Sequence, residues 1–142
     1  MTAKEYLSQA YWLDKQIDAK IEQISDLREL TQKVTAMYEG EVVSRSRNLT
    51  ALQDTIARIM DAEAEINRQI DQLVELKGSI SKLLKGIHND GYRVVLEERY
   101  LCFKSWDAIA KELDRSRRCV LEWHERALRI VERLMPQIPG AI

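Results

Sequence analysis

Ser105-Trp-Asp-Ala-Ile-Ala-Lys-Glu-Leu-Asp-Arg-Ser-Arg-Arg-Cys-Val120 is the stretch whose reading decides the fold. Ser105 is expected to cap a short helix, Trp106 to Leu113, with Ile109, Ala110 and Leu113 inward at helical spacing. Asp114-Arg-Ser116 is a three-residue turn, and Ser116 is suited to capping the helix that follows. A small residue at Ala110 lets two helices cross closely, and Leu113 and Val120 close the wedge between them. This spacing predicts a helix-turn-helix. Its second helix would expose Arg117, Arg118, Leu121, Glu122 and Glu125 on the first turns. In such a motif those turns enter the major groove. Arginine bonds guanine bidentately, and glutamate accepts from the cytosine amino group. Ser116 would face a phosphate and Arg115 would add a phosphate contact. The competing reading is a helical corner that never meets DNA.

Upstream, Asp90 is expected to cap a helix over about 92–103, with Val94 or Val95, Leu96, Tyr100 and Phe103 inward. Downstream, the last helix should run to about Met135, ahead of Pro136. Its core side would be Val120, Trp123 or His124, Ala127, Ile130 or Val131, and Leu134. Trp106 is expected to anchor the three-helix core, and Trp123 is either core or a sugar-phosphate contact. His124 is expected to be half-buried packing. The module spans 89–136, and 137–142 form a tail.

Residues 1–88 carry a different pattern. Leu13, Ile17, Ile21, Ile24, Leu27, Leu30, Val34 and Met37 step by threes and fours, as one stripe of a helix over 3–38. Thr2 and Glu5 fit a capping box, and Gly40 fits a C-cap. A loop over 39–49 holds Arg45 and Arg47, and Thr50 with Gln53 suggests a second capping box. Leu52, Ile56, Ile59, Glu63, Ile66, Ile70, Leu73, Lys77, Ile80, Leu84 and Ile87 then alternate by fours and threes over 50–87. Such a helix is roughly 55 Å long and cannot bury its seam alone. The first helix supplies an antiparallel partner. Val74, Leu76 and Leu83 flank the stripe, so a homo-oligomer through the hairpin is expected. Glu63 and Lys77 either fix the register or mark a drift of the stripe. Gly86 and His88-Asn-Asp-Gly91 mark the break before the tail module, with His88 at its surface. Tyr6, Tyr11 and Trp12 crowd the first turns, where aromatics either cap the end of a bundle or form a partner site.

The composition fits an all-α chain: 142 residues with 45% apolar and 32% charged residues, and little Gly or Pro. A net charge of −1 excludes a simple polycation that coats nucleic acid. Residues 1–91 hold 12 Lys and Arg against 15 Asp and Glu, whereas residues 92–142 hold 10 against 8. The basic excess concentrates at Arg115, Arg117 and Arg118, and a local cluster matters more to a phosphate backbone than the total. Cys102 and Cys119 read as reduced thiols of a cytoplasmic protein. No metal-ligand cluster, phosphate loop, cofactor motif, nucleophile–histidine frame, membrane span or signal peptide is apparent, so an enzyme is not expected.

Arg99-Tyr-Leu101, Ser105-Trp-x-x-Ile-Ala-x-x-Leu113, Ser116-x-x-x-Val120 and Arg126-Ala-Leu128 resemble the fourth region of bacterial sigma factors. That region reads the −35 promoter element and touches the RNA polymerase flap. The whole chain resembles a family of phage and prophage proteins of Gram-positive bacteria. The shared segments are Ala3-Lys-Glu-Tyr-Leu7, Leu13-Asp-x-x-Ile17 and Glu65-Ile-Asn-x-x-Ile-Asp-x-Leu-Val-x-Leu-Lys77. Late-gene and autolysin regulators share this plan. The resemblance implies a transcription regulator that binds double-stranded DNA at phage promoters. Nothing resembles the sigma region that melts the −10 element, so an independent sigma factor is not expected. Two alternatives stand beside this reading. One is an RNA polymerase-docking adaptor or anti-factor without its own DNA site, and the other is a DNA-recognising phage packaging subunit.

Overall fold

The computed structural model describes residues 1–38 and 45–135, and the described residues are all helical or connecting, with no strand. The helices are α1 (Ala3–Tyr38), α2 (Arg45–Leu84), α3 (Asp90–Tyr100), α4 (Trp106–Leu113) and α5 (Arg117–Leu134). The Gly40 cap and the 137–142 tail lie outside the described residues, as do the side chains of Met37, Arg45 and Arg47.

Local chemistry sets most of the boundaries. The Glu5 amide donates to Thr2 Oγ1 at 3.1 Å, and the Thr2 amide donates to Glu5 Oε2 at 3.0 Å, which completes the capping box of α1. Ser105 accepts from the Ala108 amide and Ser116 from the Cys119 amide, so both serines cap as expected. Three expectations need correcting. Helix α2 starts at Arg45, so Thr50 lies inside it rather than at its start. Asn89, not Asp90, caps α3, by accepting from the Tyr92 amide at 3.1 Å. Asp90 is instead the first helical residue, where its charge suits the helix dipole and meets Arg93 at 2.8 Å. Finally, α3 stops at Tyr100 because Phe103 takes a left-handed φ of 58°, which no helix continues through.

Contacts divide the chain into two compact units, 14–72 and 1–13 with 73–142. The second unit gathers the first turns of α1, the last turns of α2 and all three short helices. Leu7, Ile80, Leu84, Ile87 and Leu96 are completely buried there, together with Tyr6, Tyr100, Ala127 and Val131. Full burial of each large side chain contributes about 1.5–3 kcal/mol. The Ala3 amide donates to Glu132 Oε1 at 2.7 Å, which ties the first turn of α1 to α5. Tyr6 is thus core, whereas Tyr11 and Trp12 stay exposed.

The 14–72 unit pairs the two long helices antiparallel. Arg28 bonds Glu63 across the pair, so this charged break in the stripe is met from the opposite helix. Ile17, Ile24 and Ile66 are buried. Ile21, Leu30, Ile56, Met60 and Ile70 are not, and Ile21 and Leu30 remain 52% exposed. Two helices cover one side of the stripe and leave the other open. Lys77, the second charged break, belongs to the other unit, where its ammonium lies 4.6 Å from the Phe103 ring centre.

Candidate nucleic-acid interface

The α4–α5 corner rests on a small apolar cluster. Val95, Ile109, Ala110 and Val120 are buried, with Trp106, Leu113 and Trp123 packed around them. The turn is a Schellman ending: the Arg115 amide reaches the Ala110 carbonyl at 3.0 Å, and the Asp114 amide reaches that of Lys111 at 3.3 Å. This geometry places Asp114 at a left-handed φ of 54°, a conformation that Asp tolerates better than most residues. Ser116 then restarts the chain as α5. Lys104 bonds both Glu98 and Glu112, which clamps the end of α3 to α4.

Helix α5 has two faces. Val120, His124, Ala127 and Val131 are buried on one. Arg117, Arg118, Leu121, Glu122 and Glu125 share the other, around a shallow depression with Leu121 among its walls. The structure therefore brings together five of the seven residues singled out in the sequence. The remaining two, Arg115 and Ser116, are exposed at the turn just before them. The Arg115 guanidinium lies 5.7 Å from the Trp123 ring centre, and the Ser116 hydroxyl is engaged as the cap.

The chain matches no protein-family model, no curated protein and no solved structure. The site has to be read from its own chemistry.

Two arginines of the exposed face have acidic neighbours. Arg118 Nε lies 3.4 Å from Glu122 Oε1, and Arg117 Nε lies 3.8 Å from Asp107 Oδ1 on α4. Both pairs are open to water and hold their partners weakly, so the guanidinium groups can be redirected. Asp107 is a residue the sequence reading did not single out. The available signal was its place in the first turn of α4, where an acid suits the dipole and faces the start of the next helix.

Beneath this face, His124 is buried rather than half-buried, and the Tyr100 hydroxyl meets its Nε2 at 2.7 Å. Burial pushes the imidazole down to about 4 and the phenol up to about 12. The bond is therefore one between two neutral groups. The Trp106 ring stands edge-on to His124 with centres 4.5 Å apart. This pair fixes α5 against α3. Trp123 is half-buried, and Gly91 makes room for it: a Cβ there would lie 3.0 Å from its ring. Of the two places open to Trp123, the packed one is observed. Cys119 is half-buried and Cys102 exposed, both as free thiols. Among the described residues no cluster of His, Cys, Asp or Glu is arranged to hold a metal, and no helix is long and apolar enough to cross a membrane.

Proposed function

We propose that this chain is a sequence-specific DNA-binding transcription regulator, acting at phage or prophage promoters as the resemblance of the whole chain to phage and prophage proteins implies. The observation that carries the reading is the two-faced α5. Its first turns present Arg117, Arg118, Leu121, Glu122 and Glu125 together, on a corner whose crossing is fixed by Ala110 and the Schellman turn. In the major groove, Arg117 and Arg118 bond guanine edges, Glu122 accepts from cytosine and Leu121 packs on a thymine methyl. Arg115 and Ser116, at the turn, face the phosphate backbone. The open apolar side of the 14–72 unit, with Ile21, Leu30, Ile56 and Met60, supports pairing with a second copy. Two copies would present two α5 helices to two half-sites.

The test is a selection of sheared DNA from the source genome at near-physiological salt, with Arg117→Ala/Arg118→Ala alongside. A sharp peak upstream of an operon, lost in the double variant, is expected. No enrichment by a folded protein would reject a DNA site of its own and leave the polymerase-docking alternative. A peak at a packaging site instead of a promoter would favour the packaging subunit.

A further inference from the structure

Within the 1–13 and 73–142 unit, the first turns of α1 and the α3–α4 connection enclose a cleft of about 380 Å³ that shares no residue with the exposed face of α5. Its chemistry is one-sided. Lys4 and Arg99 line it, and no carboxylate does. Neither cation forms an ion pair among the described residues. Arg99 is instead held open by the Lys104 carbonyl, to which Nη1 donates at 3.0 Å, and by the Trp106 ring 4.4 Å below its guanidinium. A cation stacked on an aromatic face and pinned by a carbonyl is pre-oriented and still wants an anion.

The walls are aromatic. Trp12 stands edge-on to Tyr11 with ring centres 5.2 Å apart, and Tyr11 stands edge-on to Phe103 at 5.8 Å. Trp12 keeps 62% of its surface exposed at the rim. Phe103 reaches its place only by adopting a left-handed φ of 58°, an uncommon conformation for a bulky residue and one that concentrates at ligand sites. Trp, Tyr and Arg are also the residue types that dominate binding hot spots between proteins.

We propose that this cleft is a docking site for an acidic, aromatic-bearing peptide segment of a partner protein. A carboxylate of the segment pairs with Lys4 and Arg99, and an apolar ring inserts between Trp12 and Trp106. Two features favour a peptide over single-stranded nucleic acid. The cleft is a closed pair of cations rather than a groove that tracks a backbone, and its volume suits one or two side chains. The inference does not depend on the DNA-binding reading, because the two sites share no residue.

The test uses the full chain. Random dodecapeptides displayed on phage are selected on the wild type and counter-selected on Trp12→Ser/Lys4→Glu, whose folding is checked by circular dichroism. Both side chains are exposed, so the variant should fold. The retained peptides should pair acids with an aromatic residue. A synthetic copy of the best peptide should shift the indole N–H signals of Trp12 and Trp106 in the ¹⁵N-labelled protein and leave Trp123 in place. Replacing its acids by amides, or using Lys4→Glu alone, should weaken it on the order of tenfold or more. A selection that returns no peptide, or basic ones, would overturn the proposal. So would an oligo-thymidylate that displaces the peptide while shifting the same two indoles, which would make the cleft a base-stacking platform.

Discussion

Protonating His124 should loosen the joint between α3 and α5, and the size of the effect can be worked out from the buried pair. His124 keeps only 3% of its surface exposed, and its Nε2 shares a hydrogen bond of 2.7 Å with the Tyr100 hydroxyl. A charged imidazole would be stranded there, since its Nδ1 finds the Glu125 carboxylate only at 3.8 Å. Burial accordingly holds the ring down at about 4. In the unfolded chain it returns to about 6.5. As pH falls, the unfolded state therefore takes up the proton first. The stability this group contributes is complete above the unfolded value, is lost as pH falls toward about 4, and does not change further below that. Between pH 7 and pH 5 the linkage amounts to about 2 kcal/mol as an upper figure, a large part of the stability of a small domain.

The assay is urea unfolding followed by tryptophan fluorescence. Trp12, Trp106 and Trp123 all lie in the same compact unit as His124, so the signal reports the unit in question. The comparison variant is His124→Gln, whose amide can still accept from Tyr100 and cannot titrate. Carboxylates contribute equally to both proteins and cancel in the difference. Wild type should lose about 2 kcal/mol more than the variant between the two pH values. Equal losses would refute the reasoning and mean that the folded ring takes its proton as readily as the unfolded one.

Three further expectations follow from single positions. Gly78 lies inside α2 with open space around it, so Gly78→Ala should stabilise by about 1 kcal/mol in the same unfolding assay. Ser116→Ala removes the cap of α5 and should cost about 1 kcal/mol. On the DNA-binding reading, Arg118→Ala should leave unfolding unchanged while weakening binding. Titrations over a range of salt would then separate its roles: a slope shallower by about 1 marks a phosphate contact, and an unchanged slope with relaxed sequence preference marks a base contact.

What the sequence revealed was what local chemistry determines. Ser105 and Ser116 could be read as caps because a cap needs only its own helix, and the Thr2–Glu5 box is equally local. Asn89 and Asp90 are adjacent and chemically alike as caps, so pattern alone could not choose between them. Thr50 and Gln53 have capping-box spacing, but the same pair sits comfortably inside a helix. The non-local contacts had no signal of this kind. Tyr100 and His124 are 24 residues apart, and the Ala3 amide meets a carboxylate 129 residues away. Ala3, Tyr6, Leu7 and Ala10, which precede the stripe that begins at Leu13, likewise share a core with Ile80, Leu84 and Val131, and the first turns of α1 fall in the unit of the short helices.

The stripe of α1 and α2 shows a different limit. Periodicity identifies which positions share a face but not how wide an arc one partner covers. A single antiparallel neighbour buries Ile17, Ile24 and Ile66 and leaves Ile21, Leu30 and Ile56 in water. A similar argument applies to the recognition face. Its arginines were legible as a basic cluster, and the Arg118–Glu122 pair follows from i, i+4 spacing on one helix, but the pairing of Arg117 with Asp107 was not legible, because that depends on where α4 sits. Each of these pairs offsets part of the attraction that free arginines would exert on phosphate. On the DNA-binding reading, one corner alone would then hold DNA weakly, and useful affinity would require two corners acting together. The uncovered side of the stripe is the surface through which a second copy would supply the other. Dilution to the point where the oligomer dissociates should therefore abolish site-specific binding before it unfolds either unit, and sedimentation and binding isotherms should break at the same protein concentration.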